Sequence, residues 1–137
     1  MSNSIDFAQA YYNGLEFVRN KKKEAAEIDA VLTRFCEEVH TASKGELACV
    51  VGWPYGHDLS EIKTVLLKRG KNRGVRSIFE IEPSQGGYPC VVKCGDWHKS
   101  VMDKNDLEAT LAEALQSYNV ASNIHKTLMQ IRKDAGA

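Results

Sequence analysis

Apolar residues recur at three- and four-residue steps near both ends of the chain and at two-residue steps between them. That contrast divides the sequence into helical flanks around a β centre. Phe7, Tyr11, Leu15 and Val18 form one helical stripe, and Ile28, Val31, Leu32, Phe35 and Val39 form another. Between them, Arg19 to Glu24 is polar on every side. Either a loop separates two helices there or one long helix over 4–42 crosses solvent. Asn20 is the one weak breaker, and Ala25 and Ala26 favour continuation, so a single helix is the expectation. Asp6 suits the positive end of its dipole. Gly45 suits a left-handed stop. A helix of about 37 residues is about 55 Å long, more than a small domain can cover. Part of it is therefore expected to pack on a second copy, with Ile28, Val31, Leu32, Phe35 and Val39 as the self-association residues.

The centre alternates. Glu46 to Gly52 reads as a buried strand, closed by the turn residues Trp53, Pro54, Tyr55 and Gly56. Asp58 to Arg69 carries two patterns. As a helix it has Asp58 as cap, Leu59, Ile62, Val65 and Leu66 on one face, and Gly70 as stop. As a strand, Thr64 to Lys68 pairs with the run that follows. More local signals agree on the helix, which is the expectation. Val75 to Glu82 alternates well, Pro83 to Gly87 is a turn, and Tyr88 to Cys94 returns, giving a hairpin with a loop of about five residues. Trp97 to Met102 fits a further strand beyond Gly95 and Asp96.

From Asn105 the helical period resumes through Leu107, Leu111, Ala114, Leu115 and Tyr118. It weakens over Ser117 to Ser122 and returns at Ile124, Leu128 and Ile131. The intervening turn lacks the glycine common in DNA-binding helix pairs, so ordinary hairpin packing is expected. The predicted fold is α+β. A long N-terminal helix and C-terminal helices pack on a small antiparallel sheet of three to four strands, in a single domain over 1–137.

Composition adds limits. The 137 residues are 43% apolar, enough for a sizeable core. Eighteen cations balance eighteen acids, which argues against wholesale polyanion binding but not against a patch. The opening residues lack the apolar core of a secretory leader, and no run approaches the roughly 20 apolar residues of a membrane span. A cytoplasmic protein is expected. In that compartment Cys36, Cys49, Cys90 and Cys94 are expected as free, buried thiols.

Candidate chemistry is sparse. The stretch 68–76 carries Lys68, Arg69, Lys71, Arg73 and Arg76 among glycines and no acid, a pattern suited to phosphates. Trp53, Tyr55, Tyr88 and Trp97 lie near it in sequence and could stack on bases. A solvated loop explains the same charges. Cys90, Cys94 and His98 are spaced by four, but on one strand the two thiols sit about 13 Å apart, too far for one zinc ion. A cysteine nucleophile, Cys90 or Cys94, lacks an evident base, and no serine elbow or phosphate loop is present.

An enzyme is therefore the least supported class, with no catalytic residue, metal or cofactor expected. The leading reading is a small intracellular binding protein of adaptor, inhibitor or chaperone type, acting through protein contacts as a homodimer. Nucleic-acid binding through 68–76 is the second reading, and a thiol-dependent enzyme is the third.

Overall fold

A computed structural model describes residues 4–52, 62–68 and 75–136. Helix α1 runs Phe7–Ala42 without interruption, 36 residues and about 54 Å. Asp6 caps it at the positive end of its dipole, its carboxylate accepting from the Gln9 N–H at 3.0 Å. The helix ends at Ala42, and Lys44 and Gly45 both take positive φ to turn the chain. The Gly45 N–H then closes on the His40 carbonyl at 2.9 Å.

Among the described residues the sheet has five strands, not three or four: β1 Ala48–Gly52, β2 Lys63–Lys68, β3 Val75–Ser84, β4 Gly87–Cys94 and β5 Trp97–Val101. They form an antiparallel meander in chain order. The extra strand is β2, and it corrects the helical expectation for Asp58 to Arg69 over 63–68. Residues 58–61 and Arg69 of that segment lie outside the described residues. β2 pairs on both sides, Val65 with Val51 and with Phe79. Val65 and Leu67 face the core with no exposure. Pairing along both edges and burial of alternate residues outweigh a local capping pattern.

The β3–β4 turn is also tighter than a five-residue loop. Gln85 and Gly86, both at positive φ, make the two-residue turn that matches strand twist. Pro83 therefore stays within β3, opposite Cys90, beyond the Lys63–Ile81 pair that ends β2. An irregularity at Val65/Leu66 breaks the alternation of β3, so the neighbours Ile78 and Phe79 are both buried. In β4 the expected alternation holds: Tyr88, Cys90, Val92 and Cys94 are buried, while Pro89 and Lys93 are exposed.

Helices α2 (Lys104–Leu115) and α3 (Tyr118–Ala135) follow, separated by Gln116 and Ser117 alone. The Asp103 carboxylate and the Ser117 hydroxyl cap them. All three helices contribute to one core with the sheet. Phe35 of α1 meets Phe79 edge-to-face at 5.2 Å, and Leu107, Leu111, Ala114 and Val120 join from α2 and α3. Among the described residues no helix is long and apolar enough to cross a membrane.

Candidate interaction surface

Helix α1 crosses the sheet from β4 to β1. Five strands at about 4.8 Å spacing cover roughly 24 Å, less than half of the helix. The C-terminal half is consequently core: Ile28, Val31, Leu32, Phe35 and Val39 are buried against the chain's own sheet and helices. These are the residues the sequence offered for self-association. Their apolar surface is already covered within the monomer, and the uncovered stripe lies earlier.

Tyr88, the second residue of β4, holds α1 where it leaves the sheet. Its amide donates to Glu24 Oε1 at 2.9 Å, and its hydroxyl donates to Glu27 Oε1 at 2.9 Å. The Lys21 ammonium donates to the Tyr88 carbonyl. Burial, and then the Glu27 carboxylate, push the Tyr88 phenol above its usual range, so it stays a donor.

Before Lys21 every described residue is exposed. Seven of the ten exposed large hydrophobics among the described residues fall here: Ile5, Phe7, Tyr11, Tyr12, Leu15, Phe17 and Val18. Phe7 is 79% exposed and Tyr11 63%. Phe7, Tyr11 and Val18 follow one line down the helix, with Leu15 beside them and Gly14 within the stripe. A Cβ added at Gly14 would meet nothing within 4 Å. The segment 7–20 carries two charges, Glu16 and Arg19, which pair with each other at 3.0 Å. An apolar, electrically neutral helix face is suited to burial on another protein surface.

The other candidate residues are dispersed. Lys68 is exposed at the end of β2, paired with Val75, and Arg76 is half-buried opposite Leu67. Arg69, Lys71 and Arg73 lie outside the described residues. Cys90 and Cys94 are fully buried. Burial pushes the Cys90 thiol up to about 11 and raises Cys94, so neither is poised as a nucleophile at neutral pH. Among the described residues no three His, Cys, Asp or Glu side chains are grouped to hold a metal ion.

Two features had no sequence signal. One is a cavity of about 500 Å³ between the helices, floored by Phe35, Val39, Leu111, Leu115, Ile124 and Leu128. An Arg34–Glu108 ion pair lies at its rim. The other is the approach of Cys36 to Cys49. Both depend on elements that meet only in three dimensions. Compared with protein-family models, curated proteins and solved structures, the chain matches none.

Proposed function

We propose that this chain is a small binding protein without catalysis of its own, working as a homodimer joined through the overhanging first turns of α1. The observation that carries the reading is the run of six exposed apolar side chains, Phe7 to Val18, on a helical segment that its own domain leaves uncovered. A helix of fourteen or so residues is marginal in water without packing. A partner helix supplies that packing.

Three features favour a second copy as the partner. The 7–20 segment has no net charge, so two copies meet without repulsion. Gly14 allows close approach of backbones at a crossing point. Phe7, Tyr11, Leu15 and Val18 form one continuous apolar line that the same line of a second copy can cover. Paired in this way, the two sheet domains stand apart at the ends of a shared stalk. Their outer surfaces are then free for the adaptor, inhibitor or chaperone role.

Sedimentation equilibrium tests this. The expected wild-type mass at micromolar concentration is twice 15.3 kDa. Tyr11→Lys with Leu15→Lys is expected to give a monomer with unchanged melting of the sheet domain. A monomeric wild type, or a variant that stays dimeric, overturns the homodimer.

A further inference from the structure

Cys36 and Cys49 come from different layers of the fold. Cys36 lies on α1 one turn after Leu32, and Cys49 is the second residue of β1, which among the described residues is an edge strand paired with β2. Their sulfurs are 2.9 Å apart and both are free thiols. That is well inside ordinary non-bonded contact and not far outside the covalent distance of about 2.05 Å. Cys90 and Cys94, by contrast, are held apart by the pitch of a single strand.

The pair is also reachable. A shallow cavity of about 470 Å³ opens onto it, lined by Thr33, Cys36, Glu37, His40, Cys49 and Val51. Cys49 is only partly buried. His40 follows Cys36 by one helical turn, and its Nδ1 lies 2.7 Å from the Leu47 carbonyl. A carbonyl can only accept, so Nδ1 carries the proton and Nε2 is left as an acceptor. The Cys49 S–H donates to the Cys36 sulfur, which lowers Cys36 and raises Cys49. Cys36 therefore gives up its proton first.

We propose that Cys36 and Cys49 are a redox-active dithiol, oxidised by a hydroperoxide to a disulfide that ties α1 to β1. The Cys36 thiolate attacks the terminal peroxide oxygen and the O–O bond breaks. Cys36 becomes a sulfenic acid, and the departing oxygen takes the proton shed by Cys36. The Cys49 sulfur then attacks the Cys36 sulfur. The S–O bond breaks, and hydroxide leaves with the Cys49 proton as water. Two thiols lose two electrons and two protons, and the peroxide gains them as water plus water or alcohol. A dithiol reductant reverses the change.

The test uses the full chain and hydrogen peroxide. Alkylation in denaturant is expected to find two free thiols instead of four. A non-reducing peptide map is expected to show Cys36 linked to Cys49 within one chain. Dithiothreitol restores both thiols. The cysteines are thirteen positions apart. Closing a loop of that length raises the melting temperature by roughly 10 °C in the chain-entropy account. In Cys49→Ser, Cys36 is expected to stop at sulfenic acid, trapped by dimedone, with no rise in melting temperature. Four thiols surviving peroxide, Cys36 passing to sulfinic acid without a cross-link, or a link between two chains each overturns the proposal. The wild-type peptide map decides the matter even if Cys49→Ser fails to fold.

Discussion

Gly87→Ala puts the docking of α1 on β4 under direct strain. Gly87 does not have left-handed φ, and from backbone entropy alone alanine there would stabilise by about 0.4 to 1 kcal/mol. The surroundings reverse the sign. An added Cβ would stand 2.3 Å from Glu24 Oε1 and 2.8 Å from Glu24 Cβ. Rotating the carboxylate away relieves the first contact but breaks its bond to the Tyr88 N–H, at a cost of about 1 to 3 kcal/mol. The second contact is rooted on the helix itself, so α1 and β4 must separate, which costs about 1 to 3 kcal/mol more. The net loss expected is about 1 to 5.5 kcal/mol. In urea, followed by far-ultraviolet circular dichroism, the midpoint should fall by about 0.7 to 3.7 M at a slope near 1.5 kcal/mol/M. Glu24→Ala alone should cost about 1 to 3 kcal/mol, and the double variant less than the sum, because the lost hydrogen bond is then counted once. A Gly87→Ala protein as stable as wild type would refute the packing at this junction.

Two further outcomes follow from the core and the caps. The Cys90 thiol is raised from 9.0 to about 11 by burial, so it stays neutral in the folded state where the unfolded chain ionises. Its contribution is complete below pH 9 and is lost as pH rises through about 11, at most about 2.7 kcal/mol. The stability difference between wild type and Cys90→Ala should shrink across that window in urea titrations, and a constant difference would refute the burial argument. Asp103 caps α2 by accepting from the Asp106 N–H at 2.8 Å, while Asp106 accepts from the Met102 N–H at 3.2 Å. Asp103→Ala should cost about 1 kcal/mol and Asp103→Asn far less, read from melting curves.

Local signals placed the long helix, the β4 alternation and the C-terminal helix pair close to where they stand. Each is a long or strongly periodic segment whose own residues state its conformation. The misread segment was 63–68. Ile62, Val65 and Leu66 share a face at helical spacing, while Val65 and Leu67 share one at strand spacing. A run that short satisfies both periods, and only the strands on either side, Val51 opposite Val65 and Phe79 opposite Val65, select one. The β3–β4 loop was overestimated for a similar reason. Pro83 looked like the start of a turn, yet it occupies the strand end beyond the last β2 pair.

The sequence by itself determined the helical flanks, the pleated centre and the presence of more apolar helix surface than one small domain covers. Which part of that surface is left over was decided only by the tertiary structure. Hydrophobic burial has no direction, so Ile28 to Val39 and Phe7 to Val18 look alike as patterns along a chain. The width of five strands, and the grip of Glu24 and Glu27 on Tyr88, set the point where α1 leaves the sheet. The same geometry brought Cys36 to Cys49, because contact between a helix and an edge strand is a property of their packing and of neither segment alone.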